Sequence, residues 1–186
     1  MTHTQFCRWL ASNSCWPERD IKGRNRWLKI SGLIRKGRPG RGGSGAVLTT
    51  PESAATLLLG MAAPKAKLAP KAVRRFRDLV TRDEDGKVVA RLYGVVVDLL
   101  TPDGNAAARP AQMLLVDDLD LPMVEISYFH GDAGRMSFET FGVDLPDADF
   151  EQLWPKRSRL LRGVVIDGSV LDDIAHLLHR NGGVGK

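Results

Sequence analysis

The sequence predicts an α+β fold, with a mainly helical N-terminal part followed by a small antiparallel sheet with packed helices. Two observations lead to this prediction. Apolar residues recur at the helical spacing of three and four through most of the first 62 residues. Residues 111–142 instead contain short runs rich in β-branched and aromatic residues, separated by turn-forming residues. The 186 residues, of which 43% are apolar and 26% charged, suffice for one ordinary domain or two small ones.

The first helix is predicted over residues 2–12, where Phe6, Trp9 and Leu10 share one helical face. The segment that follows, "NSCWP", consists mostly of residues that favour caps and turns. Its Pro17 suits the first position of a further helix, so we expect a short turn between two helices.

The second helix, over residues 17–31, is predicted to have one cationic side. When successive residues are placed 100° apart, polar side chains fall within about 100° of one another and apolar ones lie on the remaining side. The polar group is Lys22, Asn25, Arg26 and Lys29, and the apolar group is Ile21, Trp27, Leu28 and Ile30. We expect Trp27 to lie in the core, as an aromatic residue beside a leucine usually does. Gly23 either breaks this helix or admits a close neighbour.

A glycine stop and a basic loop come next. Gly32 follows the last periodic residue and predicts a left-handed helix end, with Leu33 and Ile34 turning back onto the core. Residues 35–46, "RKGRPGRGGSGA", are too rich in glycine for a helix.

The clearest helix start in the chain is at Thr50. This residue suits the cap, Pro51 suits the first helical position, and Glu52 suits the dipole of the first turn. The predicted inward face consists of Ala54, Leu57, Leu58 and Met61.

A linker is predicted at residues 63–70, and a short helix with Val73, Phe76 and Val80 inward follows it. Residues 87–100 fit the helical period although their valines favour a strand, and we predict a helix.

The remaining chain is predicted to form the antiparallel sheet and a closing helix. Strands are expected at residues 111–118, 123–129, 135–142 and 159–167, with a hairpin turn at 130–134 and a helix over 168–179. The predicted domains are therefore residues 1–62, the linker 63–70, and residues 71–186.

Charge is divided unevenly along the chain. Residues 1–82 contain 17 Lys and Arg against 4 Asp and Glu, whereas the rest contains 10 against 18. This asymmetry predicts that the first part contacts a polyanion and the second does not. The alternative is a solvated basic surface beside an acidic neighbour.

The order of these parts is typical of a winged helix-turn-helix module, in which the second helix enters the major groove of DNA and the basic loop contacts the adjacent backbone or minor groove. Lysine and arginine would contact phosphates, while Asn25 (to adenine) and Arg26 or Arg24 (to guanine) have donor geometry that reads bases. The predicted DNA-binding residues are Lys22, Arg24, Asn25, Arg26, Lys29, Arg35, Lys36, Arg38 and Arg41.

Over about residues 4–62 the chain resembles the MerR-type winged-helix family. The matching positions are Arg26, Trp27, Leu28, Gly32, Leu33 and Ile34, with Thr50, Glu52 and Leu57 after the loop. Small regulators and DNA-packaging proteins of phages and mobile elements look similar too. The resemblance implies binding to double-stranded DNA. The family's wing normally ends in Gly-x-Arg-x-Tyr, where this chain has "GSGAVLT", and the family's long dimerisation helix is missing.

We therefore predict a transcription regulator that binds double-stranded DNA and forms a homo-oligomer, with a dimer favoured. Its acidic C-terminal half would mediate dimerisation or bind another protein. The alternatives are a phage-type DNA-packaging or assembly factor and a protein adaptor that binds an acidic partner.

No enzyme, metal or cofactor is predicted. The glycine-rich loop lacks the Gly-Lys-Ser or Gly-Lys-Thr of a phosphate-binding Walker A loop. The acidic clusters suit surface turns better than a magnesium site; they are Asp117, Asp118, Asp120, Asp144, Asp147 and Asp149. Two cysteines make no disulfide framework, and no apolar stretch suits a signal peptide or a membrane span, so we expect a cytoplasmic location without membrane contact.

Overall fold

The structure, a computed structural model, describes residues 1–36, 48–101, 109–116, 122–130, 135–143 and 163–182. Within these residues, six α-helices accompany two antiparallel sheets. The predicted α+β class is confirmed, with helices in the N-terminal part and a small antiparallel sheet after it.

Helix α1, His3–Ser12, starts where Thr2 and Gln5 cap each other. The Thr2 hydroxyl accepts a hydrogen bond from the Gln5 backbone N–H at 3.3 Å, and the Gln5 side chain accepts one from the Thr2 N–H at 2.8 Å. This reciprocal pair satisfies two N–H groups that a helix start leaves without partners. The helix buries Phe6 and Leu10 as predicted.

Helix α2, Glu18–Ile30, ends in the predicted left-handed stop. Gly32 has a φ of +77°, and the Leu33 N–H donates to the Leu28 carbonyl at 3.0 Å. This is the hydrogen bond of a Schellman motif, and it turns the chain so that Ile34 is buried in the core.

Helix α3, Pro51–Met61, forms the buried centre of the N-terminal half. Thr50 and Ser53 cap its start, and Pro51 takes the first position as predicted. The predicted inward face is buried, and so are the residues between its members, Ala55, Thr56, Leu59 and Gly60. A helix that is buried all round needs neighbours on every side.

One of these neighbours comes from the predicted linker, residues 63–70. Ala63 and Ala69 are buried, and a 3-10 turn at Ala66–Leu68 leads directly into helix α4, Ala69–Arg77. A Cβ placed on Gly60 of α3 would lie 3.5 Å from the Ala69 Cβ. The segment is therefore packed against the helices.

The stretch predicted as one helix, residues 87–100, divides into a strand and a helix. They are strand β2 (Val88–Arg91) and helix α5 (Leu92–Leu99). Strand β1 (Val80–Arg82) lies before this stretch and pairs with β2. The prediction was wrong for the first residues because the Asp83 carboxylate and Gly86, with a φ of +75°, form a tight turn that folds β2 back on β1. Val80, predicted on a helix face, starts β1 instead. The helical period holds afterwards, since Leu92 and Val96 are buried.

The larger sheet has four antiparallel strands in the order β5-β4-β3-β6. They are β3 (Arg109–Val116), β4 (Met123–His130), β5 (Arg135–Phe141) and β6 (Gly163–Asp167). Helix α6, Gly168–Gly182, follows β6 and packs on β3. The four predicted strands are thus confirmed in their described parts. Residues 117–118 of the first strand, 131–134 of the hairpin turn and 159–162 of the last strand lie outside the described residues.

The two sheets and the helices share one buried cluster. The backbones of Val80 and Gly142 exchange two hydrogen bonds of 2.9 Å, which join β1 to the end of β5. Buried apolar side chains form a cluster that runs from Phe6 in α1 to Leu178 in α6. Among the described residues, no break in this cluster marks the predicted domain boundary after residue 62.

Candidate nucleic-acid interface

The open side of α2 carries a line of cations. Arg19, Lys22 and Arg26 are exposed, and Lys29 is half-buried. Their spacing of three, four and three residues places them along one helix face, in a line about 15 Å long at 1.5 Å per residue. Arg19 is an addition to the predicted set, and its position three residues before Lys22 is the signal that identifies it.

One acidic side chain lies at the edge of this line. The Glu18 carboxylate is 2.5 Å from the Lys22 Nζ and 3.6 Å from the Arg8 Nε. The hydrogen bond from Lys22 holds the pKa of Glu18 below its ordinary value. All three side chains are well exposed, and exposed ion pairs contribute little. Glu18 therefore holds Lys22 only weakly.

Arg24 does not belong to the open surface. Its side chain is only 7% exposed, and its Nη2 donates to the Ala63 carbonyl at 2.8 Å while its Nη1 contacts the Asp20 carbonyl at 3.3 Å. Ala63 lies just beyond the end of α3, where carbonyl groups lack helical partners. The predicted role of Arg24 in reading guanine is thus at odds with its position, because its donors point into the protein.

Asn25 is buried to the same degree. It faces the Cys7 thiol and donates a hydrogen bond that favours the thiolate, and its Oδ1 has no hydrogen-bond partner among the described residues. Reading adenine requires an amide that reaches a base edge. In this conformation Asn25 is too deep to do so, because it lies on the side of α2 that meets α1.

Two titratable side chains behind the cations, His3 and Cys7, are uncharged near pH 7. Burial, together with the charge of Lys29, lowers the pKa of His3 to about 4. Burial raises the pKa of the Cys7 thiol to about 11 against the opposing charges of Lys29 and Lys22. The ring and the thiol therefore both stay uncharged, and the positive charge of this region comes from the exposed cations of α2 and from the buried Arg24.

Two apolar side chains are exposed beside the cations. Trp27 is 41% exposed and Ile30 is 50% exposed. The expectation that Trp27 lies in the core is wrong, because Ile21 and Leu28 define the core side of α2 and Trp27 is about 100° round the helix from Leu28.

A second basic segment, which consists of the 3-10 turn and α4, lies against α2. It was not predicted from the sequence. A Cβ placed on Gly23 would lie 3.2 Å from the Ala66 Cβ of the 3-10 turn. Gly23 therefore admits a close neighbour and does not break the helix. The turn and α4 expose Lys65, Lys67, Lys71 and Arg74. No described acidic side chain forms a salt bridge with any of them. Their association with α2 comes from tertiary packing, which local sequence patterns do not reveal.

The basic loop is described only at its two ends. Arg35 and Lys36 are exposed just after the Gly32 stop, whereas Arg38 and Arg41 lie outside the described residues. At the far end Leu48 bridges Thr2, and the Thr49 N–H donates to the Met1 carbonyl at 3.0 Å. These contacts return the loop to the start of α1.

Metal ligands and membrane-crossing helices bear on the other kinds of site considered for this chain. The described part of the chain contains no group of three or more His, Cys, Asp and Glu side chains that could hold a metal. The acids weighed above for magnesium, between 117 and 149, fall outside it. None of its helices combines the length and the apolar character needed to cross a membrane.

A comparison of the chain with protein-family models, with curated proteins and with solved structures finds no match. The functional conclusion therefore depends on the geometry of α2 and of the basic segment beside it.

Proposed function

We propose that this chain is a sequence-specific double-stranded DNA-binding protein, and specifically a transcription regulator, that contacts DNA through α2. The observation that supports the proposal is the line of cations on the open side of a 13-residue helix whose other side is packed into the core. The major groove is about 12 Å wide and admits one α-helix. Lys22 and Lys29 at the edge of the face suit phosphates, and Arg26 near its middle suits a guanine.

The form that we propose for residues 4–62 is the MerR-type winged helix-turn-helix. Its support is the order of described parts: α1, a turn at residues 13–17, α2 with its Gly32 stop, and a loop that returns to α1 through the Thr2 and Leu48 bridge. In this form Arg38 and Arg41 of the loop would contact the DNA backbone beside the groove.

Replacing Arg26 by Ala tests the proposal. A bidentate arginine–guanine contact is worth about 1 to 3 kcal/mol, so affinity for the preferred site should fall about 5- to 150-fold. Affinity for random duplex should fall much less. The measurement is fluorescence anisotropy with a duplex selected from a randomised library. Arg91→Ala is the matched control, since Arg91 is exposed on β2 and its ion pair with Asp78 is long, at 3.9 Å.

Salt titration gives an independent measurement. Each phosphate contact contributes about 0.9 to the slope of log affinity against log salt concentration. Removing Lys65 and Lys67 together should therefore lower the slope by up to about 2 if the second basic segment contacts phosphates. A protein that binds selected and random duplexes equally at every salt concentration contradicts the proposed regulator.

Assembly is a second candidate role, and the outer face of the four-stranded sheet favours it. Phe129, Met136 and Phe138 are exposed together on β4 and β5, and Val165 is exposed on β6 at the opposite edge. Exposed apolar patches mark protein contacts. We propose that the C-terminal half, through this sheet face, forms a homodimer or binds a protein partner. Light scattering separates the cases: a dimer fits a regulator, and a ring fits a phage-type packaging factor. An adaptor for an acidic protein would bind duplex DNA weakly at physiological salt.

A further inference from the structure

Ile30 occupies an unusual place among the cations of α2. It is half-exposed in the last turn of the helix, and Trp27 beside it is exposed to a similar extent. An exposed isoleucine contributes little burial to folding. A side chain of this kind within a cationic surface suggests a ligand that is anionic overall and carries an apolar group.

The position of Ile30 relative to Arg26 narrows the choice of ligand. The two residues are four apart, so they lie about 6 Å apart along the helix axis and about 40° apart around it. Ile30 falls between Arg26 and Trp27 around the axis, because Trp27 is about 60° further on. Successive base pairs are about 3.4 Å apart. A helix that places Arg26 on one base therefore brings Ile30 within about two base pairs of it.

The major groove contains one kind of apolar group at base edges. Guanine, cytosine and adenine present hydrogen-bond donors and acceptors, whereas thymine adds its 5-methyl group. An isoleucine pressed against a polar edge would leave that edge without its hydrogen bonds, which is costly. Against a thymine methyl group both partners lose apolar surface to water, which is favourable.

We propose that Ile30, with Trp27 packed alongside, recognises the 5-methyl group of a thymine within about two base pairs of the guanine contacted by Arg26. The inference rests on the proposed function of α2. It adds Ile30 as a residue that determines specificity and thymine as the base that it selects. The cations on the same helix face favour DNA over an apolar protein partner for this pair of side chains.

Replacing thymine by deoxyuracil in the selected duplex tests the proposal, because the exchange removes only the methyl group. Each thymine is replaced in turn, and affinities are measured by anisotropy with the full-length protein. At one position wild type should bind the deoxyuracil duplex about fourfold more weakly, as expected for one buried methyl group. Ile30→Ala should bind both duplexes equally. Val89→Ala, which shortens an apolar side chain 64% exposed on β2, should keep the wild-type difference.

The possible results separate the role of Ile30 from the proposed function of α2. Specific DNA binding without a thymine effect at any position overturns the role of Ile30 and leaves the proposed function intact. A thymine effect that persists in Ile30→Ala assigns the recognition to another residue and also overturns it. Absence of duplex binding by wild type overturns the proposed function and this inference together. If Ile30 mediates binding to another protein and the chain does not bind duplex DNA, the proposed function and this inference are likewise overturned together.

Discussion

Arg24 and Arg26 are two residues apart on α2 and have different environments. The Arg24 guanidinium is buried and holds the carbonyl of Ala63, so it ties α2 to the end of α3. A cation at a helix C-terminus also interacts favourably with the helix dipole. Arg26 is exposed. The difference follows from helical geometry, because a step of two residues turns a side chain about 200° around the axis.

His3 makes stability depend on pH. Its pKa is lowered to about 4, first by burial and then by Lys29, from an ordinary value of 6.5. The unfolded chain binds the His3 proton more tightly than the folded chain does. The contribution of neutral His3 to the free energy of unfolding is therefore complete above pH 6.5 and is lost as pH falls towards 4. Between pH 7.5 and pH 4.5 this residue should account for a loss of about 2 to 3 kcal/mol in the free energy of unfolding.

Urea unfolding at these two pH values measures the effect. The variant His3→Leu should lose about 2 to 3 kcal/mol less than wild type over the same interval. The control His176→Leu changes an exposed histidine on α6 and should keep the wild-type loss. Equal losses in wild type and His3→Leu would show that His3 is not the group responsible.

At the scale of elements, the contact between α6 and β3 leaves no room for a side chain. Gly168, the first residue of α6, is buried, and a Cβ there would lie 1.7 Å from the Pro110 carbonyl oxygen. The Pro110 carbonyl belongs to the backbone, which cannot move aside as the end of a flexible side chain can. The start of α6 therefore depends on glycine for close approach and not for a special backbone angle.

Gly168→Ala should accordingly destabilise the protein by about 1 to 3 kcal/mol or more, since overpacking forces the backbone to shift. The matched control is Gly94→Ala in α5, where an added Cβ meets nothing within 4 Å. That change should stabilise by up to about 1 kcal/mol through helix propensity. The free energy of unfolding in urea measures both, and a neutral Gly168→Ala would contradict the close approach.

Local chemistry explains which elements the sequence predicted well. The Thr50 cap, the Pro51 start and the Gly32 stop are decided by residues within one helical turn, and all three are confirmed. The strand at residues 88–91 was missed because its pairing with β1 overrides a helical period. The packing of Ala66 on Gly23 joins residues 43 positions apart in the printed sequence, and no local pattern specifies such a contact. The exposed positions of Lys22 and Arg26 followed from helical period alone.

For the whole molecule, the continuous core leads us to expect that residues 1–62 need the following helix to fold. Ala69 and Val73 of α4 lie against Gly60 of α3, and Arg24 needs the Ala63 carbonyl. A fragment of about 60 residues also buries a smaller share of its surface than a larger domain does and is marginally stable. Helix α4 therefore supplies part of the packing that α3 needs.

Two fragments test this conclusion. Residues 1–77, which include α4, should unfold cooperatively on heating when followed by circular dichroism at 222 nm, whereas residues 1–62 should melt broadly or stay unfolded. Equal, sharp transitions in the two fragments would support the predicted domain boundary after residue 62 and contradict this expectation. Anisotropy with duplex DNA would then show which fragment keeps the binding surface.

The hydrogen bond between Thr49 and Met1 and the bridge between Leu48 and Thr2 have a practical consequence for these assays. A polyhistidine tag or a fluorescent protein fused ahead of Met1 would lie beside Leu48 and Thr49, at the far end of the basic loop. Purification handles and fluorophores are therefore better attached to the opposite terminus or to the nucleic acid.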